Sequence, residues 1–261
     1  MIFLYAAMAV AGDLALRTPT EKWVVNFDDA QCVAQRNYGT QDKPFLFAIK
    51  RPALGDAIQV AFVRKKSAGD GVDYNAYFSF DNGPPIKTSI LMFEPKAKAV
   101  QTYSMIVALN DFAPARHAKS LTIRAPGLRE RIELADMAKL LGVMDDCVAD
   151  LKKVWNVSDH PEVRTEPVEG VTGNLSGLLR PDDYPLESLM EMNSGTVTVA
   201  LLVDEKGRVA DCSVIGSSGV AALDGQTCAI LRERAKFTAA KGADGKAAKG
   251  SFVQRITWRV Q

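Results

Sequence analysis

The spacing of the apolar residues constrains the fold of this chain more than any other feature of its sequence. Between residues 23 and 134, short apolar runs of strand length follow one another, separated by residues that favour turns. Runs at such regular spacing predict an antiparallel sandwich or barrel rather than a parallel sheet. Asn82-Gly83 lies between two of them and predicts a hairpin turn. The runs that we expect to be strands are 23–27, 45–49, 57–63, 74–80, 86–93, 100–109 and 121–124.

The period changes over residues 136–155, where apolar residues recur at steps of three and four. That spacing places them on one face of an α-helix. Cys147 lies on this apolar face, so we expect the helix to turn it toward the sheet. Residues 20–155 are therefore predicted to form one mostly antiparallel β domain that is closed by a single C-terminal helix.

A second pattern begins at residue 184, after a polar stretch rich in proline and glycine at 156–183 that predicts a linker. Asp224 is expected to cap a helix in this second region. Its elements are expected to be a strand at 196–203, a turn at 204–207, a strand at 208–215, a helix to about 235 and a strand at 251–260. This order predicts a small β-β-α-β domain over residues 184–261, and the fold class is α+β.

The four cysteines bear on both compartment and chemistry. None of them forms a C-x-x-C pair, which gives zinc and thioredoxin-like chemistry little support. Four cysteines allow three pairings, and we expect Cys32–Cys147 and Cys212–Cys228 because each disulfide then lies within one predicted domain. Disulfides persist in oxidising compartments such as the periplasm. Free buried thiols in a cytosolic protein are the alternative.

The N-terminus resembles an export signal. Residues 2–11 are apolar, Ala9-Val10-Ala11 has the form that signal peptidase reads, and the chain turns polar at Asp13. We therefore predict a cleaved signal peptide over residues 1–11 and a periplasmic protein; a buried N-terminal strand is the alternative. About ten apolar residues cannot cross a ~30 Å hydrocarbon layer as a helix, so no stable membrane anchor is expected.

Charge and side-chain chemistry point away from nucleic-acid binding and from catalysis. The net charge is +1, whereas nucleic-acid binders usually carry a basic excess. His117 is placed in a basic loop between strands and His160 in the linker, and neither has the serine, cysteine or paired-carboxylate context of a catalytic set. In the pairs Asp145-Asp146 and Asp182-Asp183 adjacent side chains diverge, which does not suit metal ligation. We expect a protein that is not an enzyme and uses no cofactor or metal.

The second region also carries a specific set of residues. They are Tyr184-Pro185, Gly195, Val197, Val199, Val203-Asp204, Gly207, Val209, Val214, Ser217-Ser218-Gly219, Leu223-Asp224, Phe237, Ile256 and Trp258. In order and spacing this set resembles the C-terminal domain of the TonB family, over roughly residues 180–261. The resemblance implies a β-β-α-β fold and a binding role. Residues 20–155 show no such resemblance.

The resemblance also implies a way of binding. TonB domains are known for recruiting an extended peptide of an outer-membrane transporter as an added strand, in TonB-dependent transmembrane transport. The terminal strand 251–260 is then the expected docking edge. Arg255 and Arg259 would flank the peptide, and the Thr257 amide would bind it if that amide faces outward. Protection of an exposed edge by charge is the alternative role of the two arginines.

Two functions are consistent with these patterns. The first is a periplasmic binding module whose partner is an outer-membrane transporter or another envelope protein. The second is a structural or envelope-maintenance protein whose TonB-like domain provides only stability or oligomerisation, which leaves a homodimer open. Because a short signal stands where energy-transducing TonB proteins have a membrane anchor, we do not expect the chain alone to transduce energy.

Overall fold

The computed structural model describes residues 14–66, 73–95, 99–157 and 169–260. Within them the chain is a mixed α+β structure, made mostly of strands with few helices. The predicted signal peptide at residues 1–11 and His160 lie outside the described residues, as do residues 158–168 of the predicted linker.

The strands of the first part of the chain belong to one sheet. They are β1 (Leu16–Arg17), β2 (Val24–Phe27), β3 (Cys32–Asn37), β4 (Phe45–Arg51), β5 (Ala57–Lys65), β6 (Asp73–Phe80), β7 (Ile86–Phe93), β8 (Val100–Ala108), β9 (Ser120–Ala125) and β10 (Leu128–Glu133). Their order is β1-β10-β9-β6-β7-β8-β5-β4-β3-β2. Neighbours are antiparallel except β1 and β10, which are parallel.

This sheet curls around one hydrophobic core. Phe47, Phe62 and Tyr103 are paired across three neighbouring strands and are all buried. The sheet curls so far that its two ends meet: the Tyr38 hydroxyl donates to the Glu133 carbonyl at 2.7 Å. The apolar runs in the sequence therefore correctly predicted strands. The curvature of the sheet brings its end strands together, as in a barrel.

Two helices belong to the same part of the chain, α1 (Leu109–Phe112) and α2 (Met137–Val154). The longer helix, α2, packs its apolar face on the core, as the three- and four-residue spacing predicts. A disulfide joins Cys147 of α2 to Cys32 of β3. Trp155, which follows the helix, is also buried, and its indole donates to the Asp29 carbonyl at 2.6 Å. The helix is thus attached to the sheet covalently and by packing.

The later part of the chain forms a second, smaller sheet with its own core. Its elements are α3 (Leu186–Met190), β11 (Gly195–Val203), β12 (Val209–Gly216), α4 (Ala221–Arg234), β13 (Ala240–Lys241), β14 (Ala247–Ala248) and β15 (Gly250–Trp258). The antiparallel order is β12-β11-β15, with a separate β13–β14 pair. A disulfide joins Cys212 of β12 to Cys228 of α4.

Some local features differ from the sequence prediction. Asp224 does not cap α4, because the helix begins at Ala221 and places Asp224 within its first turn. Its carboxylate instead accepts hydrogen bonds from the backbone and hydroxyl of Ser218 in the preceding loop. Gly207 has the positive φ that the turn prediction requires, at 74°. Strands β1, β3, β10, β13 and β14 and helices α1 and α3 were not expected.

Candidate functional site

In the small sheet β15 is an edge strand, and no described strand pairs with its outer side. β11 is central, β12 flanks it on one side and β15 on the other. β15 pairs with β11 without interruption, from Gly195 opposite Trp258 to Val203 opposite Gly250. Within the described residues, no strand pairs with the far side of β15. This is the edge that the sequence predicts as the docking site.

The opposite edge of the sheet is occupied by the first part of the chain. The Lys50 ammonium of β4 lies 2.6 Å from the Asp211 carboxylate of β12. Ile215 of β12 lies so close to Gly55 that a Cβ there would come within 2.5 Å of it. These contacts with the first part of the chain limit the space beside β12.

One face of β15 is committed to the core beneath α4. Ile256 and Trp258 are buried there, and the Trp258 indole donates to the Thr227 hydroxyl at 2.9 Å. The Tyr184 ring packs edge-on against Trp258, with the ring centroids 5.2 Å apart. Since side chains alternate along a strand, this burial fixes the opposite face of β15 as the exposed one.

The predicted site residues lie together on that exposed face. Arg255, Thr257 and Arg259 are all exposed. The Thr257 hydroxyl lies 3.1 Å from the hydroxyl of Thr196, its cross-strand neighbour. Neither arginine forms an ion pair with another described residue, so both guanidinium groups are available to solvent or to a partner.

The direction of the backbone amides decides whether β15 can accept another strand. The Val260 amide donates to the Ser194 hydroxyl at 3.4 Å and so points toward the start of β11. Amide directions alternate along an antiparallel strand. The amides of Arg255, Thr257 and Arg259 therefore point the other way, toward the free edge. The donors that strand addition needs are thus aligned with the predicted site residues.

An exposed apolar patch that was not predicted from the sequence lies at the same end of the sheet. It consists of Leu186, Leu189, Met190 and Met192, which are between 41% and 76% exposed. It begins two residues after Tyr184, whose hydroxyl donates to the Asn193 carbonyl. Because Tyr184 also contacts Trp258, the patch is attached to the end of β15. In the sequence, this patch is visible only as a cluster of leucine and methionine residues. Because the cluster has neither the period of a strand nor that of a helix, it does not predict which of these side chains are exposed.

An ion pair holds the chain before this patch onto α4. The Arg234 guanidinium lies 2.7 Å from the Asp183 carboxylate, which also accepts the Arg180 amide at 2.7 Å. These hydrogen bonds hold the pKa of Asp183 below its usual range. Further upstream, Glu169 and Thr172, which were assigned to the linker, pair with Lys241 and Thr238. The segment 169–183 therefore packs along the second part of the chain.

Features that would suggest catalysis or membrane spanning are few in the described residues. His117 is exposed at the end of a short 3-10 helix. Across residues 14–66, 73–95, 99–157 and 169–260, no three His, Cys, Asp or Glu side chains group as a metal site requires. No helix in these same ranges combines the length and apolar character needed to span a membrane.

Comparison with known protein families finds a match for the second part of the chain. Residues 180–260 match the family model of the Gram-negative bacterial TonB protein C-terminal domain. This agrees with the resemblance over residues 180–261. Members of that family act as binding and energy-transducing domains of the envelope, and disulfides fit its oxidising compartment. No curated protein matches the chain.

Proposed function

We propose, from the match of residues 180–260 to the TonB C-terminal family model, that this chain is an exported, non-enzymatic binding protein of the periplasm. Its C-terminal domain engages an outer-membrane transporter or another envelope partner by strand addition at β15. The proposal includes a signal peptide at residues 1–11, a β-rich domain at 20–155, a linker at 156–183 and the TonB-like domain at 184–261. The observation that carries it is the free edge of β15, whose amides at 255, 257 and 259 face outward.

The chemistry of the edge favours a particular partner strand. Main-chain hydrogen bonds supply affinity in strand addition, and side chains on the two faces supply specificity. On one face the partner would pass Arg255 and Arg259, which favour acidic or polar residues. Beyond Trp258 it would reach the apolar patch of Leu186, Leu189, Met190 and Met192, where methionines adapt to varied apolar side chains.

Self-association through the same edge is disfavoured by its charge. A two-fold antiparallel pairing of two β15 strands centred on Thr257 would place Arg255 of each copy opposite Arg259 of the other. Like charges directly opposite each other destabilise a sheet. The charge therefore argues against one form of the alternative role, a dimer in which two β15 strands pair in this register.

Amide hydrogen exchange on the exported chain tests the proposal. A synthetic transporter peptide that binds the chain should slow exchange within residues 251–260. Thr257→Pro, which deletes an outward-facing donor, should abolish this protection, whereas Thr257→Ala retains the donor and should preserve it. Because the amide points away from β11, the fold of Thr257→Pro should survive; near-UV circular dichroism checks this.

The side chains should matter less than the backbone. Arg255→Gln and Arg259→Gln should each weaken binding by about 0–1 kcal/mol, as expected for exposed ion pairs. Demonstrable peptide binding with unchanged exchange over 251–260 would exclude strand addition and direct attention to the β-rich domain. A clean dimer with no peptide binding would favour the structural role.

A further inference from the structure

A pocket of about 490 Å³ lies between the two parts of the chain. One wall belongs to β5, β7 and β8 of the large sheet, and the other to β12 and α4 of the later part. Sites for small organic ligands occupy roughly 300–1,000 Å³ and occur preferentially where domains meet. The pocket therefore has the size and the position of a ligand site, and β15 does not line it.

The pocket follows α4 over most of the length of that helix. Ala221 at its beginning, Gly225 and Ala229 in its middle and Arg232 near its end all line the pocket. At a rise of 1.5 Å per residue, the interval from Ala221 to Arg232 spans about 16 Å. The pocket is therefore elongated, which suits an extended chain better than a compact ring system.

The wall that faces α4 is apolar. Leu91 and Phe93 of β7 and Ile106 of β8 line it. The side chain of Leu91 comes so near α4 that a Cβ at Gly225 would lie 2.8 Å from it. Phe93 is 39% exposed, so part of this wall is open to solvent. Removing such apolar surface from water is favourable, which gives a hydrocarbon ligand its driving force.

Most polar side chains of the pocket already have protein partners. The Gln59 amide donates to the Ser104 hydroxyl at 2.7 Å. The Asp224 carboxylate accepts the Ser218 hydroxyl at 2.8 Å, and the Arg232 guanidinium donates to a carbonyl of β12 at 2.8 Å. These groups do not need a ligand to complete their hydrogen bonds, so the bulk of a ligand here is apolar.

Gln226 and Glu187 are the lining side chains that hydrogen-bond to no other described residue. A glutamine amide donates and accepts, and so can bind an uncharged carbonyl or hydroxyl. The charge of Glu187 disfavours an anion, while that of Arg232 disfavours a cation. An uncharged polar group meets neither repulsion. Gln226 lies midway along the pocket, so the polar group belongs within the ligand rather than only at its tip.

We propose that this pocket binds a free, uncharged ester that carries a single acyl chain, such as a monoacylglycerol. The acyl chain lies along α4, and Gln226 donates to the ester carbonyl. The volume accommodates one chain, whereas membrane lipids carry two. The proposal does not depend on strand addition at β15, because the two sites share no residue.

Isothermal titration calorimetry of the full chain with monooctanoylglycerol, below its micellar concentration, tests the site. From the hexanoyl to the decanoyl ester, each added methylene should tighten binding about fourfold. Octanoate has the same chain with a negative charge and should bind at least about tenfold more weakly, because a buried charge needs a partner. The ester should shift the NMR amide signals of α4 and β7.

A substitution that fills the pocket separates it from other apolar surfaces. Ala229→Phe should weaken binding at least about tenfold, and because Ala229 is exposed the added ring can be accommodated by the fold. Glu233→Phe is the matched control: it adds the same ring to an exposed position of α4 that does not line the pocket. The control should change the affinity less than about twofold.

The opposite wall gives an independent test that also serves if Ala229→Phe fails to fold. Phe93→Ser removes a lining ring of the large sheet and should weaken binding about fivefold or more. Phe27→Ser is its control, since Phe27 is 56% exposed in β2 and does not line the pocket. Gln226→Leu deletes the donor to the ester and should weaken binding about twofold to tenfold.

Three results would overturn the proposal. The first is that monooctanoylglycerol does not bind, and the second is that octanoate binds as tightly as the ester. The third is that each control variant weakens binding as much as the variant it matches. Phosphatidylcholine vesicles test the source of the chain: co-sedimentation that Ala229→Phe abolishes would place the chain in a membrane lipid and overturn the assignment of a free ester.

Discussion

At the scale of single residues, Trp258 connects the functional edge to the rest of its domain. Its ring is 4% exposed, contacts Tyr184 and donates to Thr227, while the backbone on either side of it belongs to the edge. A side chain buried in this way stabilises the strand whose outer amides are offered to a partner. Neighbouring positions of β15 therefore contribute to folding and to recognition. Comparing a substitution at a buried position with one at an exposed position separates the two roles.

Trp258→Ala should lower the free energy of unfolding by about 3–5 kcal/mol, because it leaves a cavity and the Thr227 hydroxyl without its donor. Thr257→Ala, one residue away on the exposed face, should change it by less than about 0.5 kcal/mol. Urea unfolding of both variants, followed by far-UV circular dichroism, gives the comparison. Equal losses of unfolding free energy in the two variants would contradict the difference in burial between the two faces of β15.

The sequence predicted the facing of these residues because alternation in β15 is nearly complete. If Ile256 and Trp258 face the core, the residues between and after them must face solvent. The structure shows both faces as expected: Ile256 and Trp258 are buried, and Arg255, Thr257 and Arg259 are exposed. The outward direction of the Thr257 amide was beyond prediction, since it depends on the register with β11.

At the scale of elements, the chain entering the TonB-like domain is attached to α4 by the pair Asp183–Arg234. Hydrogen bonds from Arg234 and from the Arg180 amide depress the pKa of Asp183 in the folded state. An acid with a depressed folded pKa stabilises the fold at pH values above its unfolded pKa of about 3.9. That contribution is lost as the pH falls below this value and through the folded pKa.

Asp183→Asn should therefore destabilise the protein at pH 7 and become nearly equal to the wild type near pH 2. Chemical denaturation at a series of pH values between 2 and 7 gives the difference directly. Asp182→Asn is the matched control, because Asp182 is the exposed neighbour in the same short helix. Its effect should be small at every pH. A difference between Asp183→Asn and wild type that does not vary with pH would contradict the assigned pKa shift.

The elements that escaped prediction share a physical cause. β10 has only two apolar residues among its six, Leu128 and Ile132, and three successive charged residues separate them, so its sequence shows no clear alternation. β3 begins with a cysteine and has polar residues at its far end, so its alternation is short. α3 has five residues, fewer than two helical turns, and so offers no period to detect. Long apolar elements such as α2 and β11 were found because they bury several residues on one face.

At the scale of the whole molecule, the sequence predicted strands but not how they combine. The order β10-β9-β6-β7 requires β6 to pair with β9, across an interval of two strands and two short helical segments. The local sequence pattern does not specify that β6 pairs with β9. This pairing follows from the closure of the sheet around one common core. The same holds for the contact between the two parts of the chain, where Lys50 and Asp211 are 161 residues apart.

At that contact Lys50 pairs with the buried Asp211, whose carboxylate also lies 3.2 Å from the guanidinium of Arg232 in α4. Lys50 is held 2.6 Å from Asp211, whose side chain is 4% exposed and which also accepts the Ser213 hydroxyl at 2.7 Å. Burial lowers the pKa of Lys50, while the charge of Asp211 opposes that shift. A second contact lies just before β15 in the sequence, where the Asn156 amide donates to the Lys249 carbonyl at 3.2 Å.

Asp211→Asn should destabilise the protein by about 3–5 kcal/mol, because it leaves the Lys50 ammonium buried without its counter-charge. The double variant Lys50→Met with Asp211→Asn should recover part of this loss, since no unpaired ammonium then remains buried. Lys153→Ala, which breaks an exposed pair with Asp150, is the control and should cost no more than about 1 kcal/mol.

Denaturant unfolding followed at two tryptophans makes this a test of the whole molecule. Trp155 reports on the large sheet and Trp258 on the small one, and each can be isolated by replacing the other tryptophans with phenylalanine. In the wild type both signals should change in one transition. In Asp211→Asn the Trp258 signal should change at lower denaturant than the Trp155 signal, because the small sheet loses its support on the large one. Coincident transitions in Asp211→Asn would mean that the two sheets are coupled by the remaining contacts and not by this ion pair.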